Sequence, residues 1–385
     1  MRRIFLLCWL AIACGFRGSD AAARQWTDRT GQQHIEADFV NGDGDRVWLR
    51  PPNGSTFSVA MGDLSHRDQE HVRTLLRDEK SARRTRPVKP DDIHYGPGRQ
   101  VCVLACKRLG ELSGMACSQR QPGLFWAHND SGDEARIYLF DLKGRDLGSC
   151  LLAGVSNCDW EDMASFTADG KPYLLLADTG NNGMAATVHM LHCIEEPPCD
   201  PQRGVTVSTV PVLRTIYFSF EDDHRNCEAV AVDPTDKTIL LVSKENARVC
   251  SAYALAWPKD DHGVNPKAPP KTALVAKRIG TMELRQVTGM TASPDGRRAV
   301  VLTYGNAFEY IREGKDTWAQ AFARPPREIA IPFRVQGESI CFGQDGKTLY
   351  ASSEKRPTPL IEIPVISQPF HTPSQRGSDR PEKAR

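Results

Sequence analysis

The stretch CEAVAVDPTDKTILLVS at residues 227–243 decides the fold, because its pattern returns four times elsewhere in the chain. Each copy contains two small or polar residues next to a segment in which every second residue is apolar. The later copies continue through an Asp-Gly-type turn into a second strand. An alternation with a period of two is typical of half-buried β-strands. The other copies are VTGMTASPDGRRAVVLT (287–303), GESICFGQDGKTLYASS (337–353), LSGMA (112–116) and WEDMA (160–164).

The spacing of these copies predicts a β-propeller over residues 99–367. The aligned members are Ser113, Glu161, Glu228, Thr288 and Glu338. They stand 48, 67, 60 and 50 residues apart, near the roughly 40 to 50 residues of known propeller blades. Five blades are countable, and the long interval after Glu161 leaves room for a sixth. We expect residues 100–104 to pair with the last blade and close the ring, which removes the exposed sheet edges.

Composition and charge agree with a mostly β protein and narrow its partners. The 385 residues include 30 Gly and 26 Pro, which favour short strands and turns over long helices. Lys and Arg number 49 against 48 Asp and Glu, a net charge of +1, so no global field attracts nucleic acid. No GxGxxG or Walker loop follows a strand, and we expect no nucleotide cofactor.

The N-terminus indicates export. Residues 1–23 read as a signal peptide, with Arg2 and Arg3 ahead of a short apolar run and a small-residue cleavage site, which places the protein in the periplasm or outside the cell. A lipid anchor at Cys14 is the alternative. No other stretch is long enough to predict a transmembrane segment. Ten cysteines remain after the leader, so we expect disulfides, with Cys193 to Cys199 as the best local pair.

Residues 24–77 form a separate small unit. The pattern WTDRTG at 26–31, three short strands, and a helix from His66 to Leu76 that begins after Asp-Leu-Ser resemble Sla homology domain 1. The resemblance implies a small SH3-like barrel with a groove of peptide size, so short peptides or envelope proteins are the expected partners. Residues 78–98 read as a charged linker and residues 368–385 as a disordered polar tail.

The aligned repeats predict a polar ring in the propeller channel. Repeat-related side chains lie at one depth of a propeller, so three of the five ring positions would gather carboxylates: Glu161, Glu228 and Glu338. Such a group needs a cation, a basic side chain or shared protons, and Lys244 and Lys355 stand at strand ends that the sequence pairs as equivalent. We also expect Asp130, Asp159, Glu161 and Asp178 to converge at one mouth of the channel.

Oxygen-rich turns follow the second strands of the first two repeats. HNDSGD at 128–133 and DTGNNG at 178–183 offer carboxylate and amide oxygens, which are ligands that calcium prefers, although Asx-turns that merely close strand connections explain them equally well. The candidate metal ligands are Asp130, Asp159, Glu161, Asp162, Asp178 and Asn181.

The motifs FWAHNDSGD, DWEDMA, ADTGNN and QGESICFGQDG resemble exported bacterial propellers of the phytase-like group. The resemblance implies calcium at the channel mouth and a small anionic ligand there. It also makes Glu161, Glu228, Lys244 and Glu338 the candidate catalytic residues, while Asn181 stands where that group usually has Asp. Two functions follow as expectations: an exported binding or scaffold protein, or alternatively a calcium-assisted phosphoester or ester hydrolase.

Overall fold

The computed structural model describes residues 24–42, 46–52, 57–85, 93–258 and 272–366. The chain divides into two compact units, residues 1–88 and 89–385, and each is described by itself. The predicted signal peptide, the alternative anchor at Cys14 and the predicted tail at 368–385 lie outside the described residues. Among the described residues, no helix is both long enough and apolar enough to cross a membrane.

The first unit is an antiparallel sheet of four strands followed by a helix. Its elements are β1 (Arg24–Thr27), β2 (His34–Gly42), β3 (Arg46–Arg50), β4 (Phe57–Ala60) and α1 (His66–Thr85). Trp26 and Val72 are buried in one core with residues of β2 and β3. Asp68 in the first turn of α1 accepts hydrogen bonds from the Ser65 hydroxyl (2.9 Å) and the Thr27 amide (2.8 Å), so the helix start is tied to β1.

Helix α1 begins at the predicted residue but continues past Leu76 to Thr85. Residues 77–85 contain neither Gly nor Pro and are rich in Arg, Lys and Glu, which are good helix formers. The predicted linker at 78–98 therefore starts inside a helix. The predicted end of the linker at residue 98 is too late, because strand β5 (His94–Tyr95) already belongs to the second unit. It pairs with the last strand of that unit.

Five blades, each built on a four-stranded antiparallel sheet, make up most of the described part of the second unit. Strands β5 and β6 (Arg99–Val103) precede them. Blade 1 contains β7 (Leu112–Cys117), β8 (Leu124–Asn129), β9 (Arg136–Asp141) and β10 (Asp146–Ala153). Blade 2 contains β11 (Trp160–Ala168), β12 (Lys171–Asp178) and β13 (His189–Glu195), then an insertion with β14 (Cys199–Asp200), β15 (Gly204–Val205) and β16 (Thr209–Pro211), and finally β17 (Arg214–Phe220).

Blades 3, 4 and 5 follow in chain order. Blade 3 contains β18 (Cys227–Val232), β19 (Ile239–Ser243), β20 (Cys250–Leu255) and β21 (Leu274–Met282). Blade 4 contains β22 (Val287–Ala292), β23 (Arg298–Thr303), β24 (Ala307–Ile311), the short helix α2 (Trp318–Phe322) and β25 (Arg327–Ile329). Blade 5 contains β26 (Ser339–Phe342), β27 (Leu349–Ser352) and β28 (Pro359–Ile363), and β29 (Val365–Ile366) pairs with β5.

The blades close into a ring. The innermost strands β7, β11, β18, β22 and β26 contact one another in sequence, and β26 returns to β7. Strand β6 is hydrogen-bonded to β28 as the fourth strand of blade 5, so the chain's first and last propeller segments share one sheet. The fold is thus mostly β, and residues 93–258 and 272–366 form a five-bladed propeller, as predicted.

The sixth blade that the long interval allowed is not formed by the described residues. Strand β16 adds in parallel to the edge of β10 in blade 1, and β17 is the outermost strand of blade 2, where it also pairs in parallel with β21. The extra segments therefore cover the edges of existing sheets.

The predicted bridge between Cys193 and Cys199 is absent, and all ten cysteines in the described part of the chain are free. Cys193 packs into the core between blades 2 and 3, whereas Cys199 packs against the core between blades 1 and 2. The two thiols therefore face opposite sides of the blade 2 sheet, a geometry that excludes a bond without rearrangement of the backbone.

Candidate functional site

The inner strands carry a repeated irregularity at one end of the channel. In blades 1 to 4 the pairing of the first two strands shifts register around a single extra residue, a β-bulge, and in blade 5 Glu338 directly precedes β26. These five residues are all buried. They are the predicted ring: Ser113, Glu161, Glu228, Thr288 and Glu338. We call this end of the channel the acidic mouth.

Three carboxylates meet on the side of blades 1 and 2. One oxygen each from Asp130, Asp159 and Glu161 lies within 4.8 Å of the other two. Asp130 follows β8, Asp159 lies in the loop before β11, and Glu161 is the bulge residue of β11. The backbone comes close as well, since a Cβ added to Gly180 would stand 2.2 Å from Glu161 Oε1 and 2.3 Å from Asp159 Cγ.

Burial and mutual repulsion raise the pKa of two carboxyl groups in this cluster. Glu161 is 4% exposed, and its carboxylate has no hydrogen bond or ion pair to any described residue. Burial raises the pKa of Glu161 well above its usual range, and the neighbouring Glu228 and Asp130 raise it further. Burial and the charges of Asp130 and Asp178 likewise raise the pKa of Asp159. A divalent ion would compensate these charges.

Blade 3 supplies the basic group of the acidic mouth. Lys244 Nζ donates to Glu228 Oε2 and, at 2.9 Å, to the hydroxyl of Tyr304. Asn226 Nδ2 donates to the other Glu228 oxygen at 3.1 Å. Burial raises the pKa of Glu228, while Lys244 and Asn226 oppose that rise, so this carboxylate is held by partners that Glu161 lacks.

Blade 5 contributes two further acids. Glu338 accepts a hydrogen bond from Gln336 Nε2 at 3.0 Å, and burial raises its pKa to about 8. Glu354 lies 3.5 Å from Lys355 Nζ, which also donates to Glu111 at 2.9 Å. Burial raises the pKa of Glu354 as well.

The predicted equivalence of Lys244 and Lys355 is wrong by one residue. The Lys244 amide donates to the carbonyl of Asn226 at 2.9 Å, and the matching bond in blade 5 runs from Glu354 to Gln336 at 2.9 Å. Glu354 is therefore the counterpart of Lys244, and Lys355, half-exposed at 49% of its side chain, lies at the rim. The carbonyl of Glu111 accepts from the Asp130 amide in the same way at 2.8 Å.

Asp162 is not part of the carboxylate cluster. It is fully buried, and its oxygens accept hydrogen bonds from the amides of Met163 (2.8 Å), Val230 (2.8 Å) and Met290 (3.0 Å). Val230 and Met290 belong to the inner strands of blades 3 and 4, whose channel-facing edges have no neighbouring strand. Asp162 therefore satisfies strand edges across the channel, a structural role rather than that of a metal ligand.

Asp178 and Asn181 also serve the backbone. Asp178 accepts from the amides of Cys158 (3.3 Å) and Asp159 (3.0 Å), so it positions the loop that carries Asp159 instead of joining the cluster through free oxygens. Asn181 Oδ1 accepts from the amides of Ala185 and Ala186 at 2.8 and 2.9 Å and holds its own loop. Of the six predicted ligands, the structure brings three together.

Five residues of the acidic mouth and its rim were not identified from the sequence: Glu111, Asn226, Tyr304, Gln336 and Glu354. Three of them precede the ring residue of their blade by two positions, namely Glu111, Asn226 and Gln336. Tyr304 and Glu354 follow the ring residue of their blade by 16 positions, as Lys244 follows Glu228. Extending the repeat alignment to these two positions would have found all five. The opposite end of the channel is different in kind, because neutral residues such as Gln119, Ser165 and Thr291 line a cavity of about 110 Å³ there.

Comparisons with known proteins find similarities for the first unit. The family model described as SLA1 homology domain 1 matches residues 18–80. A curated relative is the actin cytoskeleton-regulatory complex protein sla1 of Schizosaccharomyces pombe, 36% identical over 52 residues, which are 14% of this chain. The chain spans 4% of the length of that relative.

A similar solved structure is the PQQ-bound form of an aldose sugar dehydrogenase from Streptomyces coelicolor, at 12% identity and a TM-score of 0.43. The match covers 73% of this chain and 99% of that one. The resemblance of the propeller to phytase-like proteins stays a prediction.

Proposed function

We propose that the chain is an exported binding protein whose propeller holds a divalent cation, most naturally calcium, at the acidic mouth. The observation that carries this proposal is the cluster of Asp130, Asp159 and Glu161, with one oxygen of each within 4.8 Å of the others. Calcium binds oxygen at roughly 2.3 to 2.6 Å, so two ligand oxygens of one ion stand up to about 5 Å apart. The buried, unpartnered carboxylate of Glu161 supplies the second support.

The first unit adds a second binding module. A match to SLA1 homology domain 1 suggests a protein-interaction role for residues 18–80, and short peptides or envelope proteins are the partners we propose for it. A protein with two binding units and one cation site is suited to holding ligands together, which is the scaffold role expected from the sequence.

Thermal denaturation of the full chain at increasing free calcium tests the cation site. A cation that binds only the folded state raises the melting temperature by an amount that grows with its concentration. We expect that rise in the wild type and its loss in Glu161→Gln. The matched control is Asp169→Asn, because Asp169 lies in a turn at the opposite end of blade 2 with 79% of its side chain exposed. An unchanged melting temperature across millimolar calcium would exclude the site.

The second candidate function is a calcium-assisted phosphoester or ester hydrolase. It is favoured by Lys244, whose charge acts on Glu161 across the acidic mouth, because a cation and an ammonium group together could hold the phosphate of a small anionic ligand. Glu161, Glu228 and Glu338 would then be the candidate acids or bases. The test is release of p-nitrophenol from its phosphate and acetate esters with calcium present. Turnover that is lost in both Glu161→Gln and Lys244→Met supports hydrolysis, and no turnover in the wild type rejects it.

A further inference from the structure

One face of the blade 2 sheet carries a row of buried polar side chains, those of Thr215 on β17, His192 on β13 and Asp178 at the end of β12. His192 is opposite Thr215 in the strand register, and Asp178 is opposite Met190, two residues before His192. Side chains two residues apart on a strand share a face of the sheet. The row therefore crosses three neighbouring strands and ends beside the loop that carries Asp159.

The surroundings of this row are apolar. The same face contributes Leu174, Leu176 and Ile194 to the core between blades 1 and 2. A polar group in such a core costs free energy unless it has partners. The contacts that the three polar side chains make therefore indicate why they are buried there.

These contacts form a continuous chain. His192 Nδ1 lies 3.0 Å from the hydroxyl oxygen of Thr215, and His192 Nε2 lies 3.7 Å from Asp178 Oδ2. The two oxygens of Asp178 accept hydrogen bonds from the amides of Cys158 at 3.3 Å and Asp159 at 3.0 Å. The chain thus runs from the outermost strand of blade 2 to the backbone of a proposed cation ligand.

The Thr215 hydroxyl selects the ring nitrogen of His192 that carries the proton. A neutral imidazole has one N–H donor and one acceptor. When the hydroxyl donates to Nδ1, the proton is on Nε2, the nitrogen that faces Asp178. The other tautomer would direct a lone pair at the carboxylate, which is unfavourable in a buried site. His192 Nε2 makes no hydrogen bond to any described residue, so its N–H is available to Asp178.

We propose that His192 is a positioning residue for the cation site. Its Nε2–H attracts Asp178 and keeps that carboxylate against the amides of Cys158 and Asp159, and the loop then holds the Asp159 side chain in the ligating position. His192 does not touch the cation. Groups that orient metal ligands in this way commonly change metal affinity by roughly 10- to 100-fold. The inference rests on the proposed cation site, but the hold on the loop exists without a cation.

Variants of His192 separate the roles of its two nitrogens. Glutamine places its amide nitrogen near the position of Nε2, asparagine places its amide near Nδ1, and phenylalanine has a ring without either nitrogen. We expect His192→Gln to behave as the wild type, and His192→Asn and His192→Phe to loosen the loop. The matched control is His189→Phe, because His189 is buried on the same strand but packs against Phe218 and Phe220 on the opposite face.

Hydrogen exchange of the full chain without calcium measures the hold on the loop. Asp178 protects the amides of Cys158 and Asp159. In His192→Phe and His192→Asn these two amides should exchange about tenfold faster than in the wild type, because the loop opens more often. They should exchange at the wild-type rate in His192→Gln and in His189→Phe.

Terbium luminescence measures the cation site itself. Tb³⁺ prefers oxygen ligands as calcium does, and Trp160, which stands between Asp159 and Glu161 in the chain, can sensitise its emission. His192→Phe and His192→Asn should weaken Tb³⁺ binding roughly 10- to 100-fold. Luminescence lifetimes in H₂O and D₂O should show about one more water molecule on the ion, in place of the Asp159 oxygen. Thr215→Val, which removes the hydroxyl that donates to Nδ1, should weaken binding severalfold.

Two results would overturn the inference. One is exchange or terbium binding in His192→Phe that equals the wild type, and the other is an equal loss in His192→Gln and His192→Phe, because the shape of the side chain rather than Nε2 would then matter. A wild type that binds neither calcium nor terbium defeats the proposed cation site, and the exchange rates then decide separately whether His192 holds the loop. Terbium binding in the wild type that does not depend on His192 defeats this inference alone.

Discussion

Replacing Gly180 by alanine should strongly weaken cation binding at the acidic mouth while leaving the propeller folded. The new Cβ would lie 2.2 Å from Glu161 Oε1 and 2.3 Å from Asp159 Cγ, whereas ordinary contacts begin at 3.4 Å. Both carboxylates must therefore move by about 1 Å, several times the roughly 0.2 Å by which metal–ligand distances vary. Asp159 is half-buried in a loop and Glu161 lies at the start of its strand, so the cost falls on the site rather than on the cores between the blades.

The size of the effect follows from linkage. At a calcium concentration 100 times the dissociation constant, binding stabilises the folded wild type by about 2.7 kcal/mol. If the displacement weakens binding 100-fold, the same calcium concentration stabilises the variant by about 0.4 kcal/mol. The calcium-induced gain in the free energy of unfolding should therefore be smaller by about 2 kcal/mol.

Chemical denaturation with and without calcium measures that gain, and the same loop offers the control. A Cβ added to Gly183 meets nothing within 4 Å, so Gly183→Ala should keep the full calcium response. An equal response in Gly180→Ala and Gly183→Ala would show that the cation does not bind between Asp159 and Glu161, and the assignment of the site would fail.

Three further changes probe the channel. Asp162→Ala should lower the free energy of unfolding by about 3 kcal/mol, because the inner-strand amides of Met163, Val230 and Met290 lose their acceptor. Chemical denaturation measures the loss, and a value below about 1 kcal/mol would contradict the structural role. Glu338 has a pKa of about 8 against 4.5 for the free side chain, so the folded state keeps a proton that the unfolded state loses, and stability should fall as the pH rises from about 4.5 to 8. Glu338→Gln should flatten that fall in melting temperature, and parallel curves would refute it. Lys244→Met should lower the free energy of unfolding by about 3 kcal/mol, because it leaves Glu228 without its ion-pair partner. Adding Glu228→Gln to this variant should restore most of that free energy. If instead the losses of the two single variants add up in the double variant, the two residues are not coupled.

The propeller could be predicted from the sequence because each blade carries its own copy of one short sequence pattern. Each blade must bury its own two faces, so each copy repeats the same apolar alternation and turn. The number of blades was less certain, since residues 206–220 have the pattern of strands in any case. These strands join whichever sheet edges the folded blades leave unpaired. The strands that form those edges lie elsewhere in the chain, so the residues at 206–220 do not show which sheet they join.

The register error at Lys355 was avoidable from the sequence. Glu354 follows Glu338 by 16 residues, as Lys244 follows Glu228 by 16, so equal spacing already pairs Glu354 with Lys244. The matching backbone hydrogen bonds of Glu354 and Lys244 agree with that pairing. A basic residue expected inside the acidic mouth consequently lies at its rim, which increases the negative charge that a ligand meets.

For Glu161 and Asp162, the sequence does not show which acid is available to a ligand and which one binds the backbone. Both are acids at the start of one inner strand, and the sequence assigned both to a metal. The β-bulge at Glu161 makes Glu161 and its neighbour oppose a single residue of β12. One carboxylate is thereby left at the mouth without partners, and the other reaches the unpaired amides of two further blades. An unpartnered buried carboxylate is costly, and the proposed cation would offset that cost at Glu161, whereas Asp162 is already satisfied by the three backbone amides that it accepts from.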